Sequence, residues 1–586
     1  MRLKKPVIAI STVALLALAA CGGSGSSTTD TRQTADISEA GAAGSGKDPG
    51  RQAPAKPIEG AKKGGTLHVL HNGGINTLDP SEAYYINTLS ILQGLVVRSL
   101  TQWSYDPETK DMVLVPDLAT DLGTPNKDFT EWTFTIRKGV KFENGQEVTP
   151  QDIKFGIERS LDRKTFPSGA GYSNDYFLNG DTYTGPYGKD KGKDYKGVEI
   201  HGQKVTIKMS RPFPDMPYWG TFPAISPIPE GDASKPSKYR LHPLATGPYM
   251  FKEYTPQKSL TLARNPEWDP DTDPARRQYI DKIVFDFDVT SSKLDQIMLR
   301  DNGQAKTSIS IDSVLRSDYA QFPKKRLVTG PYPCTTFLDP DNRKITNINV
   351  RRAIGYAFPY KDYFAAAGDI VGVTAIPATN VMPPGVPGRT KYNPLPGHEP
   401  WSTDPDKAKA LLKKAGKLGY KLRWAYAKDD PEAVASKDVF AKAMKEAGFD
   451  PQPVASTSDT MTTEYKQNIN ADINLRFASW CSDWPSGGSW FRPIFYTTDL
   501  TKEGFAGNYS AFSSDKVDSK IDSIERMPLD QQPKAWNKLD RTIQQKHYPL
   551  LVLANSASAM MRGSKVHGFA NDPIWGMPTW KQMWIG

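Results

Sequence analysis

The chain has 586 residues, of which 38% are hydrophobic and 24% charged, and its formal net charge is +9. A chain of this length exceeds one ordinary domain, and it predicts about two to four structural units around a sizeable core. The 74 Lys and Arg residues are interspersed with 65 Asp and Glu residues and form no long basic block, which argues against nucleic-acid binding.

The first 20 residues are typical of a secretion signal. A basic start precedes an apolar run from Val7 to Leu18, which is shorter than the roughly 20 residues that a membrane-spanning helix requires. The following Leu18-Ala19-Ala20-Cys21 resembles the lipobox of bacterial lipoproteins. This resemblance implies a lipid-carrying Cys21 and an extracytoplasmic protein attached to the cell membrane.

Residues 21 to 61 are rich in Gly, Ser, Thr, Ala and Pro, which predicts a lipidated cysteine followed by a flexible tether. No later apolar run approaches 18 residues. The cysteines besides Cys21 are Cys334 and Cys481. In an oxidising compartment they favour a disulfide, with two buried free thiols as the alternative.

Residues 131 to 162 predict a strand, a turn and a capped helix. Alternating apolar residues from Trp132 to Ile136 are typical of a strand. Thr149 is the predicted N-cap, with Pro150 in the first helical position and Asp152 completing a capping box. The predicted buried stripe of the helix is Ile153, Ile157 and Leu161.

The remaining pattern alternates strands with helices. Strands are predicted in residues 64–70, 197–219, 245–268 and 281–289, and a helical stretch in about 84–100. In the second half, helices are predicted from Asp404 to Gly416 and from about Pro431 to Gly448, each ending at a glycine. Strand-like residues follow each helix, so the predicted fold class is α/β, with helices packed on sheets.

Signatures of catalysis are weak in this sequence. It contains no Gly-x-Ser-x-Gly nucleophile elbow and no His-Glu-x-x-His zinc motif. Asp269, Asp271 and Asp273 imitate the start of a calcium loop without its glycine and glutamate, which favours a solvated turn. We therefore expect no enzymatic activity, no cofactor and no metal.

Four blocks of the body resemble, in the expected order, the oligopeptide-, dipeptide- and nickel-binding proteins of bacterial ABC importers (extracellular solute-binding family 5). They are WTFTIRKGVKFENGQEVTPQDIKFGIERSLD (132–162), ATGPYMFKEY with LARNPEW (245–268), NVRRAIGYAF (349–358) and DPDKAKALLKKAG (404–416). The resemblance extends from about residue 64 to the C-terminus. It departs at AFPYKDYF, where Pro359 is predicted to end a helix early.

The resemblance implies a two-lobe, periplasmic-binding-protein-like (type II) fold that closes over its ligand around a hinge. The implied boundaries are residues 62–105, 218–330 and 545–586 for lobe I, 106–217 for an extra domain and 331–544 for lobe II. The implied protein is a monomer that delivers peptides to the ABC permease subunits in the membrane. The alternatives are the same fold binding an oligosaccharide, a metal chelate or a signalling peptide, and a secreted hydrolase or adhesin.

The resemblance also implies a ligand site around Cys481. The segments PYPCTTF and SWCSDW resemble the paired cysteine segments of the oligopeptide-binding branch, where the two cysteines form a disulfide. In that branch the aspartate two residues after the second cysteine binds the terminal ammonium of the peptide, and here that residue is Asp483. An ionised carboxylate offsets the several kcal/mol that an unpaired buried cation costs.

Further candidate ligand contacts are Trp480, Cys481, Trp484 and, from the extra domain, Tyr176. No basic residue is assigned to a peptide carboxylate, because Arg476 lies one position off the family pattern. The run Ser486-Gly487-Gly488 also departs from that pattern, so ligand length stays open.

Overall fold

The computed structural model describes residues 46–106, 111–497 and 507–586. The predicted signal peptide, Cys21 and the first part of the predicted tether lie outside the described residues. Within these ranges no helix is long and apolar enough to cross a membrane.

The first half of the chain contains twelve short strands and six helices among its described residues. The strands are β1 (Gly46–Lys47), β2 (Thr66–Leu70), β3 (Thr101–Asp106), β4 (Asp111–Pro116), β5 (Thr124–Pro125), β6 (Glu131–Thr135), β7 (Val198–His201), β8 (Lys204–Lys208), β9 (Tyr249–Thr255), β10 (Ser259–Arg264), β11 (Lys282–Asp286) and β12 (Ser308–Ser310). The helices are α1 (Ile86–Ile91), α2 (Pro150–Ser160), α3 (Tyr172–Tyr176), α4 (Met216–Trp219), α5 (Pro236–Tyr239) and α6 (Ser291–Arg300).

The second half is richer in helices, as the sequence predicts. Its described strands are β13 (Leu327–Pro340), β14 (Ala375–Pro377), β15 (Lys421–Leu422), β16 (Ala425–Ala427), β17 (Asp450–Pro451), β18 (Val454–Ser456), β19 (Leu475–Cys481), β20 (Leu551–Met561), β21 (Val566–His567), β22 (Asn571–Asp572), β23 (Met577–Pro578) and β24 (Trp584–Ile585). Its described helices are α7 (Ile348–Ala357), α8 (Tyr360–Ala366), α9 (Pro405–Lys414), α10 (Pro431–Glu446), α11 (Ser458–Met461), α12 (Gly488–Phe495), α13 (Asp515–Glu525) and α14 (Gln532–Lys546).

The first lobe is built on a five-stranded sheet in the order β12-β2-β11-β10-β9. Strand β2 lies between β11 and β12 and is parallel to both, while β9, β10 and β11 pair antiparallel in turn. Leu67 and Val69 of β2 are fully buried, because helices and loops cover the sheet. A second sheet, β5-β6-β8-β7, lies within the predicted extra domain.

Helix α2 confirms the local prediction made for residues 149 to 162. The Thr149 side chain accepts from the backbone of Asp152, and the Asp152 carboxylate accepts from the backbone of Thr149, which completes the capping box. The predicted stripe is buried, since Ile153, Ile157 and Leu161 are each at most 1% exposed.

The second lobe has a four-stranded sheet, β14-β20-β13-β19, with helices on both faces. Adjacent residues of β13 point to opposite faces. Leu338 packs into the cluster with α7, α8, α9 and α10, whereas Phe337 packs into the cluster with α12, α13 and α14. Helix α7 ends at Ala357, just before Pro359, as predicted.

Strands β13 and β20 connect the two lobes as one antiparallel pair. Leu327 lies opposite Met561 at the first-lobe end, and Leu338 lies opposite Leu551. Leu551 and Leu553 pack in the core of the second lobe, although the implied boundaries assign residues from 545 onward to lobe I. The register shifts between Pro331 and Thr335, where proline cannot donate a ladder hydrogen bond. The lobes are therefore joined by a narrow element with an internal irregularity, which is where a hinge motion concentrates.

Two loop segments differ from their expected character. Residues 46 to 61, predicted as tether, lie against the body: β1 pairs with β4, and the backbone N–H of Ile58 donates to the Tyr279 hydroxyl at 2.9 Å. The expected solvated turn is wrong for Asp273, which is fully buried and pairs with Arg276 at 3.2 Å. Among the described residues no cluster of three His, Cys, Asp or Glu is placed to hold a metal ion.

Candidate ligand-binding site

A disulfide holds the end of β19 against β13. Cys334 and Cys481 lie directly opposite each other in the antiparallel pair, with their Cα atoms 4.0 Å apart, and they are bonded. The structure thus confirms the disulfide. Because β19 is paired with β13 and linked to it by this bridge, the residues after Cys481 leave the sheet of the second lobe from a fixed point.

Asp483 lies two residues beyond this bridge and meets residues from distant parts of the chain. Its Oδ2 accepts from the hydroxyl of Tyr84 at 3.2 Å and from the hydroxyl of Tyr172. Tyr84 precedes α1 and Tyr172 begins α3. By the predicted boundaries, the three side chains come from lobe II, lobe I and the extra domain.

The electrostatics of this carboxyl group are unusual. Burial raises the pKa of Asp483 to about 7, although the hydrogen bonds from Tyr172 and Tyr84 act in the opposite direction. Burial also raises the pKa of both tyrosines well above its usual value, so their hydroxyls stay protonated donors. In the part of the chain that the structure describes, no Lys, Arg or His forms an ion pair with Asp483.

Trp484 is a contact between the two halves of the chain. It is 1% exposed, and its ring lies 4.5 Å from that of Tyr172, 6.0 Å from Phe222 and 6.1 Å from Phe213, centroid to centroid. Its Nε1 donates to Oδ2 of Asp215 at 2.7 Å. The indole of a second-lobe residue is therefore held in an aromatic cage built by the first half of the chain. Ligand contact by Trp484 stays a prediction.

The glycines after Trp484 are required by close packing. A Cβ on Gly487 would lie 2.3 Å from Cγ of Trp536, and a Cβ on Gly488 would lie 2.7 Å from Oδ2 of Asp215. Burial raises the pKa of Asp215 to about 6, and its Oδ1 has no hydrogen-bond partner among the described residues. The Ser-Gly-Gly run thus lets α12 start directly against a carboxylate of the predicted extra domain.

Trp480 and Tyr176 do not contact Asp483 directly, although Tyr176 stacks at 6.5 Å on Tyr172, which donates to that carboxylate. Trp480 packs on the α12 face of the sheet and donates from Nε1 to the carbonyl of Ser489 at 2.8 Å. Tyr176 is buried, stacks on Phe213 at 4.0 Å and directs its hydroxyl to Oε1 of Glu525 at 3.4 Å. No described contact joins either residue to Asp483, and their roles toward a ligand stay predictions.

Arg476 is not placed to bind a ligand carboxylate. It is 2% exposed, lies 3.7 Å from Oδ2 of Asp341 and donates to the carbonyls of Asn468 and Ile469. The guanidinium of Arg476 therefore interacts with groups inside the second lobe.

Tyr84 and Tyr172 are the site residues that sequence reasoning missed. Two adjacent tyrosines, Tyr84 and Tyr85, are a weak signal in the sequence. In the structure Tyr84 is half-buried and Tyr85 is 64% exposed. Nothing in the local pattern distinguishes Tyr172 from the many tyrosines of the extra domain.

Comparison with known proteins gives a consistent picture. The sequence model described as "Bacterial extracellular solute-binding proteins, family 5 Middle" matches residues 113–502. The periplasmic oligopeptide-binding protein OppA of Salmonella typhimurium is 25% identical over 61% of this chain, and the glutathione-binding protein GsiB of Salmonella choleraesuis is 26% identical over 59%. Each match spans 61% of the relative's own length.

Solved structures share the fold at low sequence identity. Clavulanic acid biosynthesis oligopeptide binding protein 2 superposes with a TM-score of 0.80 at 22% identity, covering 93% of this chain and 99% of that one. The periplasmic binding protein DppA from Helicobacter pylori, in complex with the peptide STSA, gives a TM-score of 0.67 at 19% identity, covering 89% and 98%. The predicted two-lobe α/β fold is confirmed.

Proposed function

The chain belongs to the bacterial extracellular solute-binding proteins of family 5, and we propose that it is the lipid-anchored, extracytoplasmic binding subunit of an ABC importer. In this proposal it captures peptides between its two lobes and presents the closed form to the membrane permease. It performs no chemistry on the peptide. Capture needs only a closed state that the ligand stabilises by touching both lobes.

The observation that carries the proposal is the environment of Asp483. A buried carboxyl group with two tyrosine donors and no cationic partner among the described residues is ready to receive a cation. A peptide brings one as its terminal ammonium, and the pair forms charge-assisted hydrogen bonds in a low-dielectric site. Because Tyr84 and Tyr172 belong to the opposite side of the cleft, the same cation favours closure.

Strand β19 supports a peptide rather than another cationic solute. It is an edge strand of the described sheet, paired on one side with β13. An extended peptide adds to such an edge through main-chain hydrogen bonds, which tolerate varied side chains. With its ammonium at Asp483, the peptide runs antiparallel to β19.

The membrane part of the proposal depends on the lipobox resemblance at Cys21. A lipid on this residue places the body outside the cytoplasm beside the permease. The hinge pair β13 and β20 supplies the two-state motion that distinguishes loaded from empty protein.

Asp483→Asn tests the proposal directly. We expect peptides of two to seven residues to raise the melting temperature of the wild type, and N-acetylated peptides and oligosaccharides to leave it unchanged. Asp483→Asn should weaken peptide binding at least tenfold in titration calorimetry, because the ion pair is lost.

Asp540→Asn is the matched control. Asp540 is also buried, accepts from a tyrosine hydroxyl at 2.7 Å and has a pKa that burial raises to about 7, but it lies within the second lobe. We expect its peptide affinity to stay within twofold of the wild type. Equal affinity of Asp483→Asn and the wild type would contradict the assigned site.

A further inference from the structure

The second lobe carries an open pocket of about 220 Å³, and four of its twelve lining residues are aromatic. Tyr363 of α8, Trp424, Tyr426 of β16 and Phe477 of β19 line it. Tyr363, Tyr426 and Phe477 are only half-buried. Their ring faces keep apolar surface in contact with water, and a ligand group that covers this surface gains the hydrophobic free energy of burial.

The rings form a rigid wall. Phe477 stacks on Tyr363 with centroids 5.2 Å apart and planes at 6°, and Trp424 behind them is 1% exposed. Rings held this way lose little conformational entropy when a flat ligand group packs on them.

The charged groups at the rim already have partners. Asp430 caps α10, with Oδ1 accepting from the backbone of Glu432 and Ala433. The ammonium of Lys437 lies 2.5 Å from Oδ1 of Asp438 and 5.0 Å from the centroid of the Tyr426 ring. What the pocket offers is therefore apolar surface, which fits an aromatic or large aliphatic group better than a charged one.

The pocket and Asp483 are connected by one face of β19. Side chains alternate along a strand, so Phe477, Ser479 and Cys481 share a face, while Arg476 and Trp480 turn to the other. Ser479 is exposed, and Thr336, its directly paired neighbour on β13, is half-buried. This strip is open to solvent between the aromatic pocket and the bridge that precedes Asp483.

The distance along this strip determines the length of a peptide that could reach both Asp483 and the pocket. Six residue steps separate Phe477 from Asp483, and a strand rises about 3.3 Å per residue, so the two points are up to about 20 Å apart. With position 1 of an extended peptide at Asp483, the five to six steps that cover this distance end at position 6 or 7.

We propose that this pocket binds the aromatic or large aliphatic side chain at the sixth or seventh position of a peptide whose ammonium is held by Asp483. The inference rests on the proposed function and deepens it, since it names the length and the distal side chain of the preferred cargo. The pocket makes the protein selective for peptides longer than tripeptides.

A positional scan tests the inference. Seven-residue peptides of alanine, serine and glycine carry a single phenylalanine moved from position 2 to position 7, each with a free or an acetylated N-terminus, and Kd is measured by titration calorimetry. We expect the lowest Kd with phenylalanine at position 6 or 7, about 10- to 30-fold below the phenylalanine-free peptide, the gain of burying one such side chain.

Ala433 of α10 is half-buried and lines the pocket. The side chain introduced by Ala433→Phe should fill the pocket. We expect this variant to lose the positional preference while keeping wild-type affinity for the phenylalanine-free peptide, which also reports that it is folded. Ala435→Phe, on the exposed side of the same helix, is the matched control and should retain the preference.

The outcomes separate the two proposals. A flat positional profile with a strong effect of acetylation overturns the aromatic pocket and leaves the proposed function standing. A positional preference that survives in Ala433→Phe also overturns the pocket assignment. If acetylation has no effect on any peptide, or if none binds, both proposals fail.

Discussion

In the proposed function, the protonation state of Asp483 makes peptide affinity depend on pH. Its pKa of about 7 in the unliganded protein, raised by burial, means that the acid form is abundant near neutrality. A bound ammonium favours the carboxylate, so binding below about pH 7 must release a proton. We expect the affinity for a free-ammonium peptide to fall by up to about tenfold per pH unit below 7, as measured by calorimetry at pH 5.5, 6.5 and 8.

Proton release distinguishes this effect from a change in stability. Asp339 and Asp540 also have a pKa that burial raises to about 7 in the folded protein, above the ordinary 3.8. The folded state therefore holds more protons than the unfolded state between about pH 4 and 7, and these groups contribute stability that is lost as pH rises through 7. The pH dependence of the melting temperature contains contributions from Asp339, Asp483 and Asp540 together. Calorimetry in buffers of different ionisation enthalpy instead counts the protons released on peptide binding. Asp483→Asn should release none, and an unchanged pH profile in that variant would contradict the assignment.

At this scale the sequence points to one half of the candidate site, whose role in ligand binding stays a prediction. Asp483, Cys481 and the disulfide belong to a contiguous motif, so a resemblance over a few residues identifies them. Tyr84 and Tyr172 are 399 and 311 residues away from Asp483 along the chain, and only the closed arrangement of the lobes brings their hydroxyls to its carboxylate. No local pattern carries that information.

The two glycines at the start of α12, Gly487 and Gly488, pack against different parts of the molecule. Gly487 faces Trp536 of its own lobe, and Gly488 faces Asp215 of the opposite half of the chain. We expect Gly487→Ala to lower the free energy of unfolding by about 1–3 kcal/mol, the usual cost of overpacking a core. Gly488→Ala should instead weaken peptide affinity, because its Cβ interferes mainly with the closed form. Thermal melting and calorimetry measure the two effects.

Gly231→Ala is the control for both substitutions. Gly231 has an ordinary helical φ of −57°, and a Cβ there would meet no atom within 4 Å. We expect its stability to stay within about 0.5 kcal/mol of the wild type and its affinity to be unchanged. A Gly488→Ala variant that loses stability as Gly487→Ala does, while keeping its affinity, would contradict the closure role.

Elements whose causes are local are the ones that the sequence predicts. The capping box of α2, the glycine that follows α10 and the stop of α7 before Pro359 each depend on residues within one or two turns. The long pairing of β13 with β20 and the docking of β1 on β4 join segments far apart in the chain. The composition of residues 46 to 61 predicts a tether, because the residues that hold this segment in place lie far away in the sequence and leave no local pattern.

For the whole molecule, we expect Trp484 to couple the proposed ligand capture to the arrangement of the lobes. Its indole belongs to the second lobe but is buried among rings of the first half of the chain, with its N–H on Asp215. Inside a single core, truncating a buried tryptophan costs about 3–5 kcal/mol. Here the loss falls on the closed state, because opening the cleft separates the indole from its cage.

Trp484→Ala should therefore shift the lobes toward the open form. We expect a larger radius of gyration than the wild type in small-angle scattering at a saturating concentration of a free-ammonium peptide, together with at least tenfold weaker affinity. Trp401→Ala is the matched control, because Trp401 is 5% exposed and donates at 2.5 Å to the carbonyl of Leu553 within the second lobe. It should lower the melting temperature without changing the radius. A Trp484→Ala variant that lost only stability, with a liganded radius of gyration equal to that of the wild type, would contradict this prediction. Trp484 would then be an ordinary core residue, and closure would depend on the hydrogen bonds of Asp483 alone.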